Sequence, residues 1–462
     1  MTPNQYTPEE PISSIATALS PAALGIVRVS GKNCIELVSK VFSRPKALLE
    51  AEGNSLVYGW IENSADEKID EVMLSVYRAP KSFTGEEMIE ISCHGGVGVV
   101  SEIFQILLKS GFRQAERGEF TFRSFINGKA DLTKAEAIRE IIESKTQESR
   151  SHAAGRLSGN LFQEINSIKQ LIIDTLAAIE VEIEYPEDEE TIADNFNSSK
   201  LKEAEIRLSK LNDSWKSEKL YQDGVRLVLC GKTNAGKSSL FNAILKEERA
   251  IVSDIEGTTR DWIESFASIE GLPARLFDTA GIRETQDLIE AQGVQLTKNL
   301  SEDADLILYT VDSKQGLTND DETFLKQIEK PFILVWNKSD LNQNISLSKE
   351  QKDAFPFLKS EVKISAKTQE GFSELYKKIR DSFAQNLSTD RNQAGLGSSR
   401  QKKSVEEALE AIQHAIKTSG DYALDAVVQD LEDSLDALSE ITGEICADDI
   451  LSSIFSNFCV GK

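Results

Sequence analysis

The sequence predicts a multidomain protein in which α/β and α+β parts accompany a helical region. Three observations support this fold class. Strand-like and helix-like segments alternate from about residue 223 to 385, which is typical of an α/β unit. Helical patterns flank this unit at 131–222 and 386–462, and residues 1–130 mix short apolar strand patterns with helical ones.

The N-terminal region is predicted to be a separate α+β domain, because its apolar runs are short and helical stretches separate them. Strands are expected at Gly25–Val29, Asp70–Tyr77 and Met88–Ser92. His94 stands beside two glycines. We expect it to make a structural hydrogen bond rather than to act as a catalyst.

The two helical flanks are expected to form one domain, with the α/β unit inserted at a surface loop. Neither flank is long enough to bury a generous core alone. Thr133 and Glu136 have capping-box spacing in the first flank, and Ser404 and Glu407 have it in the second. The Gly/Ser-rich segment 392–399 separates the second flank from the inserted unit.

A phosphate-binding loop is predicted at Gly231–Ser238, which reads G-x-x-x-x-G-K-S. The loop follows the apolar run Arg226–Cys230 and precedes a helical pattern, which is the context that this motif requires. Its backbone N–H groups and the helix N-terminus favour phosphate. Lys237 is expected to reach the β and γ phosphates, and the Ser238 hydroxyl is expected to coordinate Mg²⁺.

Three further motifs follow apolar strand patterns. Asp278–Gly281 is suited to hold the metal through water and to approach the γ-phosphate, while Asn337–Asp340 and Ser365–Lys367 are suited to the base. Asp340 can accept hydrogen bonds from N1–H and the 2-amino group of guanine, and adenine offers neither donor there. The sequence therefore predicts a Ras-like doubly wound P-loop GTPase.

A second Mg²⁺ ligand is assigned to Thr259, in the segment Gly257–Asp261. Ile282 occupies the position where Ras-like proteins carry a water-orienting Gln, so that role must come from elsewhere. The residues predicted to bind GTP are Asn234, Ala235, Gly236, Lys237, Ser238, Ser239, Ser253, Asp254, Ile255, Glu256, Gly257, Thr258, Thr259, Asp278, Thr279, Ala280, Gly281, Asn337, Lys338, Asp340, Ser365, Ala366 and Lys367.

The amino-acid composition restricts which kinds of partner and which cellular compartment we expect. The 462 residues include 76 acidic and 52 basic ones, for a formal net charge of −24, so any nucleic-acid contact is expected to be local. No apolar run is long enough to span a membrane, and the first residues lack a secretory signal. Five dispersed cysteines fit a reducing environment. We therefore expect a cytoplasmic protein.

Residues at both termini resemble the tRNA modification GTPase MnmE (TrmE) family. The segment Phe455–Lys462 is similar to the family's Phe-Cys-Ile-Gly-Lys ending, and the resemblance spans essentially the whole chain. The N-terminal residues that match the family pattern are Ser82–Glu90, Cys93–Gly96, Gly118–Thr121, Arg123, Phe125, Asn127, Lys129, Asp131 and Leu132.

The resemblance implies GTP-dependent modification at C5 of the wobble uridine of certain tRNAs. The implied products are aminomethyl or carboxymethylaminomethyl groups, made by a homodimer together with the FAD-containing partner MnmG. The one-carbon donor would be a 5,10-methylene or 5-formyl tetrahydrofolate bound by the N-terminal domain, which is also the implied dimerisation domain.

The family's folate contacts correspond to Arg28, Glu90, Lys129 and Lys462, and Cys459 corresponds to a reactive thiol near the folate. A carboxylate suits the pterin edge, and cations suit the glutamate tail. Two alternatives stay open at this point: an ordinary strand-edge ion pair between Arg28 and Glu90, and a packing role for Cys459.

The resemblance also implies a potassium-stimulated GTPase that is activated when its GTPase domains pair. The K⁺ ligands would be Asn234, Ser253, Ile255 and Thr258, and Glu290 would position the attacking water. Without the resemblance, Glu290 would be interpreted as a solvated charge at the start of a helix.

Two segments depart from the family pattern, and one rival function is weighed against it. Leu19–Gly25 stands in place of a glycine-rich loop, and Glu116–Gly118 replaces Arg-Pro-Gly. The rival is an RNA-associated, GTP-gated assembly factor without modification chemistry. Such a protein should carry a KH-like G-x-x-G helix or a basic arm after the GTPase unit, whereas this chain has an acidic helical pattern there.

Overall fold

A computed structural model describes residues 10–184, 198–247, 263–278, 303–342, 344–383, 394–418, 424–459 and 461. The chain forms two compact units. The first comprises residues 1–139, 156–209 and 398–462, and the second comprises 140–155 and 210–397. The domain boundaries proposed from the sequence, at 130, 222 and 385, stay predictions.

The N-terminal part of the first unit is built on a mostly antiparallel sheet of order β3-β4-β5-β2-β1-β6, in which β1 and β6 pair in parallel. The strands predicted from the sequence are confirmed as β2, β4 and β5. In chain order the elements are β1 (Ile12–Ile15), β2 (Leu24–Ser30), α1 (Cys34–Ser39), α2 (Pro45–Leu49), β3 (Ser55–Glu62), β4 (Lys68–Tyr77), β5 (Met88–His94), α3 (Val97–Lys109), β6 (Arg113–Gln114) and α4 (Glu119–Ile126).

The two faces of this sheet have different surroundings. One face packs with α1 and α3 in a core that includes Val27, Leu74 and Ile91, all fully buried. The opposite face carries large apolar side chains that are exposed in the described chain. They are Leu24, Leu56, Tyr58 and Met73. These four exposed apolar side chains lie on three strands of the same face, so this face is a candidate interaction surface.

His94 has the structural role predicted from the sequence. Its Nδ1 lies 2.7 Å from Asp70 Oδ1, and its backbone N–H donates to Asp70 Oδ2 at 2.8 Å. The hydrogen bond with the Asp70 carboxylate raises the pKa of His94, and the charge of Asp70 acts in the same direction. The pair fixes the end of β5 to β4.

In the described part of the first flank, four helices lead into the α/β unit. They are α5 (Leu132–Glu143), α6 (Gln147–Leu157), α7 (Asn160–Glu184) and α8 (Ser198–Asp223). The apolar positions that predicted helix in this flank include Leu161, Ile165 and Ile168, and all three are fully buried. Their spacing of three to four residues places them on one helix face.

The α/β unit is a doubly wound sheet of order β12-β11-β10-β7-β9-β8, parallel except for the β8–β9 hairpin. This confirms the predicted fold class. The elements are β7 (Val225–Cys230), α9 (Lys237–Glu247), β8 (Ile263–Ile269), β9 (Leu272–Asp278), β10 (Leu306–Asp312), α10 (Asn319–Gln327), β11 (Phe332–Asn337), α11 (Lys349–Ala354), β12 (Leu358–Lys363) and α12 (Phe372–Phe383).

The central strands of this sheet place the predicted motifs at one edge. Every residue of β10 and β11 is buried, as expected for parallel strands covered on both faces. Because parallel strands end on the same side, the loops that follow β7, β9, β11 and β12 meet at their carboxyl ends. Ligands bind at this edge in open α/β sheets.

The second flank consists of α13 (Ser399–Thr418), α14 (Leu424–Thr442) and α15 (Asp448–Ser456). It contacts the first flank through Glu136 on α5, whose carboxylate accepts hydrogen bonds from Arg400 at 2.9 Å and Ser398 at 3.1 Å. Arg400 also donates to the Glu440 carbonyl at the end of α14, at 2.6 Å. Glu136 thus links the two flanks, while their assignment to one helical domain stays a prediction. None of the described helices combines the length and apolarity that crossing a membrane requires.

Both predicted capping boxes are wrong. The Asp131 carboxylate caps α5 by accepting from the Lys134 N–H at 3.0 Å, and Glu136 is engaged by Arg400 instead. Ser398 caps α13 by accepting from the Gln401 N–H at 3.3 Å, six residues before the predicted cap. In each case an equally good cap residue lies upstream, and tertiary contacts determine which one is used.

Candidate functional site

The phosphate loop has backbone angles that require glycine at two positions. Gly231 has φ 133°, and a Cβ there would lie 2.2 Å from the Thr310 carbonyl oxygen. Gly236 has φ 92°, and its Cβ would lie 2.1 Å from Asn337 Nδ2. Asn234, at φ 65°, is left-handed as well. The loop is therefore held tightly against the ends of β10 and β11.

Lys237, the first residue of α9, spans this loop. Its Nζ donates to the carbonyl oxygens of Gly231 and Lys232, each at 2.8 Å, and the residue is 9% exposed. The ammonium group is thereby held within the loop, next to the N-terminus of α9. Ser238 and Ser239 are exposed on the first turn of the same helix. This arrangement presents a positive charge, helix N–H groups and two hydroxyls to a phosphate chain.

Asn337 connects the loops of the base side to the phosphate loop. Its Nδ2 donates to the Ala235 carbonyl at 3.0 Å. Its Oδ1 accepts from the backbone N–H groups of Lys338, at 2.8 Å, and Ala366, at 3.1 Å. Three separate motifs predicted from the sequence are thus joined by one fully buried side chain.

Lys338 also connects the base-side loops to the phosphate loop. It contacts Asp312 as well, a residue that was not predicted from the sequence. Lys338 Nζ donates to the Asn234 carbonyl at 2.9 Å and to Asp312 Oδ2 at 2.6 Å. Burial acts to raise the pKa of Asp312, but hydrogen bonds from Lys338 and the Lys314 N–H outweigh it, so this pKa lies below its usual value. Asp312 is the last residue of the apolar strand β10, and that position was the available signal.

Asp340, the residue predicted to read the base, lies beside the loop that contains Ser365. It is exposed, and its Oδ1 accepts from the hydroxyl of the fully buried Ser365 at 2.7 Å. Ser365 Oγ in turn accepts from the Thr368 N–H at 3.2 Å. The carboxylate is therefore oriented from one side and accessible from the other. Lys367 follows in the same loop.

Replacing Asp340 with Asn is expected to change base preference from guanine to xanthine. The new amide N–H₂ cannot accept from the guanine donors, whereas it can donate to the 2-oxo group of xanthine. Loss of a charge-assisted pair should cost on the order of 1.5–3 kcal/mol of GTP binding. Titration with labelled GTP and XTP measures both affinities.

The control for this substitution is Asp353→Asn, which alters an exposed acid on α11 in the same unit. It should leave both affinities unchanged. Unaltered GTP affinity in Asp340→Asn would remove this residue from the base pocket.

The residues predicted to hold the metal are described only in part. Asp278 is 3% exposed at the end of β9, where it pairs in register with Leu229 of β7, two residues before the phosphate loop. This places its carboxylate at the same edge as Ser238. The remaining predicted residues lie outside the described ones. They are Ser253, Asp254, Ile255, Glu256, Gly257, Thr258, Thr259, Thr279, Ala280, Gly281 and Glu290.

A second cluster lies on the N-terminal sheet. Arg28 on β2 and Glu90 on β5 are register partners, and Arg28 Nη2 and Nε lie 2.6 and 3.0 Å from Glu90 Oε1. The ion pair that the sequence left open is therefore present. The Arg28 guanidinium carbon also lies 5.6 Å from the ring centroids of both Phe83 and Phe120. The pair is partly accessible, with side-chain exposures of 16% and 21%.

The C-terminal segment contacts this cluster. Arg28 Nη1 donates to the Gly461 carbonyl at 3.4 Å, and the Gly118 N–H donates to the Cys459 carbonyl at 3.5 Å. The Cys459 residue is exposed. Lys129 is exposed as well, and Gly85 makes room for its stem, since a Cβ on Gly85 would lie 3.3 Å from Lys129 Cγ. Lys462 lies outside the described residues.

A buried charge network supports the Arg28 cluster. Arg123 is fully buried on α4, and its guanidinium pairs with Glu119 at 2.9 Å and Glu86 at 3.0 Å. Arg113 pairs with the same Glu119 at 2.6 Å. Burial acts to raise the pKa of Glu119, but its hydrogen bonds to Arg113 and the Glu116 N–H lower it overall. The network fixes α4, which carries Phe120.

The doubly wound sheet, the glycine-dependent loop around Lys237 and the joined base-side loops define a P-loop GTPase. Two family models match the chain: the MnmE helical domain over residues 132–459 and the GTP-binding protein TrmE N-terminus over residues 11–129. The chain belongs to the MnmE family of tRNA modification GTPases.

Relatives in this family match over their full length. The tRNA modification GTPase MnmE of Treponema denticola is 50% identical over 473 residues, covering 99% of each chain. That of Treponema pallidum (strain Nichols) is 40% identical and covers all of both chains. That of Carboxydothermus hydrogenoformans is 42% identical, covering 98% of this chain and 100% of the relative.

Proposed function

We propose that this GTPase modifies C5 of the wobble uridine of certain tRNAs, together with the FAD-containing partner MnmG, in the cytoplasm. A tetrahydrofolate bound by the N-terminal domain supplies the one-carbon unit. GTP, Mg²⁺ and K⁺ occupy the inserted unit, with Ser238 and Thr259 as Mg²⁺ ligands. The observation that carries the proposal is the partly accessible Arg28–Glu90 pair, closed on one side by Gly461.

The residues of the pair suit a folate. A carboxylate such as Glu90 can accept two N–H bonds from the guanine-like edge of a pterin, and the adjacent rings of Phe83 and Phe120 offer apolar contact to its plane. Lys129 and Lys462 would meet the glutamate tail. Arg28 orients the Glu90 carboxylate through two hydrogen bonds to Oε1, and a fixed carboxylate is what acceptance of two N–H bonds requires.

The group transfer balances with either folate form. If the methylene form were bound, the uracil C5–H, the methylene carbon and an amine would give C5–CH₂–N and tetrahydrofolate, with no net redox change. Glycine as the amine gives the carboxymethylaminomethyl product, and ammonia gives the aminomethyl product. With the formyl form, water leaves and a hydride is needed, which the flavin of the partner can supply.

We also propose that the protein forms a homodimer. The sheet face with exposed Leu24, Leu56, Tyr58 and Met73 supports it, because a two-fold pair would bury the same apolar patch on both copies. Sedimentation equilibrium of Leu56→Asp should then show monomers. A dimer of unchanged stability would place the interface elsewhere.

Nucleoside analysis of tRNA tests the function directly. A strain that lacks this gene should lose the C5-substituted wobble uridines, and the wild-type gene should restore them. The purified protein should bind 5,10-methylenetetrahydrofolate and co-purify with the flavoprotein. Intact wobble uridines in the deletion strain, with no folate binding, would favour the assembly-factor alternative.

A further inference from the structure

A short part of the first helical flank packs within the GTPase unit. We call residues 144–155 the strap. The Thr146 hydroxyl oxygen accepts a hydrogen bond from the Ser149 N–H at 3.1 Å. This bond caps the start of α6. The strap belongs to the same compact unit as β7–β12, although 69 residues of chain, 156–224, separate it from β7.

The strap contacts the β8–β9 hairpin at two points. Lys145 Nζ lies 3.0 Å from the ring centroid of Phe266, in the middle of β8. The Glu148 carboxylate lies over the turn, because a Cβ on Gly271 would be only 2.4 Å from Glu148 Cδ. Glu270 and Gly271 both have positive φ, 46° and 84°, as a two-residue hairpin turn requires. The strap thus covers the hairpin from its middle to its turn.

The opposite end of this hairpin carries the metal side of the GTP site. Ile263, the first residue of β8, pairs with Asp278, the last residue of β9. In the sequence, β8 directly follows the segment that holds Thr259. Each strand has seven residues, so the turn lies roughly 20 Å from Asp278 at about 3.4 Å per residue. A paired hairpin of this length moves as one body.

The strap is also fixed on a second side. His152 Nδ1 lies 2.9 Å from Glu218 Oε1 on α8, and both residues are buried. The His152 ring stacks on Tyr221, with centroids 4.4 Å apart. From Tyr221, α8 leads through Gly224 into β7 and then into the phosphate loop. The strap therefore bridges the hairpin and the helix that precedes the phosphate loop.

We propose that Lys145 and Glu148 are positioning residues for GTP hydrolysis. They hold the hairpin, and through it Asp278, in register with the phosphate loop. A displacement of about 1 Å in a catalytic group can cost up to roughly 100-fold in rate. The proposal extends the GTPase machinery to residues outside the 223–385 segment.

The test uses Lys145→Met and Glu148→Gln in the full-length protein. Each is expected to lower kcat for GTP roughly 3- to 10-fold, while the Kd for GTP stays within about twofold, because the base and phosphate contacts are untouched. Lys145→Arg should recover most of the rate, since a guanidinium also binds an aromatic face. Lys403→Met, an exposed lysine on α13 in an i,i+4 pair, is the matched control and should have no effect.

A double-mutant cycle separates positioning from general stability. In a Phe266→Leu background, Lys145→Met should cause a smaller loss of kcat than in the wild-type protein, because the ring that Lys145 contacts is absent. Hydrogen exchange of the β8–β9 amides should rise in Lys145→Met with an unchanged Tm. An unaltered kcat, an additive loss in the Phe266→Leu background, or a parallel fall of kcat, GTP affinity and Tm would each overturn the proposal.

Discussion

GTP turnover is expected to be about 100-fold faster in potassium chloride than in sodium chloride at matched ionic strength. An arginine finger is typically worth ~10³–10⁵ in rate, and a bound K⁺ would bring its positive charge to the same phosphates. A ring of oxygens selects ions by cavity size and field strength, so Na⁺ should not substitute. The effect is measured as GTP turnover at saturating GTP in the two salts. Equal rates would contradict the potassium-dependent mechanism.

Substitutions at Asn234 provide a further test of the potassium prediction. The residue is exposed at φ 65°, and its carbonyl is already held by Lys338 Nζ, which leaves the side-chain amide for the ion. Both Asn234→Ala and Asn234→Gly should lose the potassium response. Only the alanine should also lower Tm, because a Cβ without a polar group is strained at this φ. Glu290→Ala should slow turnover and keep GTP affinity.

Reversing the charge at Arg28 is expected to abolish tetrahydrofolate binding and wobble modification, with a loss of affinity of at least about 100-fold. Arg28→Glu would set two carboxylates against each other where Arg28 now lies 2.6 Å from Glu90. Breaking a fully buried pair typically costs ~3–5 kcal/mol, and the cost for this partly exposed pair should be smaller. GTP hydrolysis should persist, because Arg28 belongs to the other compact unit.

The matched control is Arg78→Glu, a reversal in a second ion pair of the N-terminal domain, with Glu87 at 3.3 Å. Its effect on Tm should resemble that of Arg28→Glu, while folate binding survives. Isothermal titration calorimetry with 5,10-methylenetetrahydrofolate measures the folate affinity of both variants and so distinguishes them. If GTP turnover falls in step with folate binding, the two activities do not reside in separate domains.

The fold could be predicted from the sequence in those segments where the local sequence pattern and the tertiary contacts favour the same structure. The strands β10 and β11 are buried throughout and mostly apolar, and φ and close backbone approach dictate the glycine positions of the phosphate loop. Predicted motifs after these strands meet at one edge because parallel strands end together. Asn337 joining Ala235 and Ala366 is the direct consequence.

The rest depended on contacts that spacing does not encode. Asp312 was missed because an acid at a strand end is common, and only its 2.6 Å contact with Lys338 gives it a role. The capping boxes failed because Asp131 and Ser398 were competing caps. The strap was unpredictable for a similar reason. Lys145 has no sequence signal that would pair it with Phe266, more than a hundred residues away.

The hydrogen bond from Arg28 to the Gly461 carbonyl joins residues 433 positions apart, and this separation has a consequence in time. At a synthesis rate of ~5–20 residues per second, Arg28 is made about 20 to 90 s before its partner. The N-terminal sheet contains mostly local pairings and can form during that interval. The Arg28 cluster is then completed late, so a nascent chain would hold a folded first domain well before Gly461 closes that cluster.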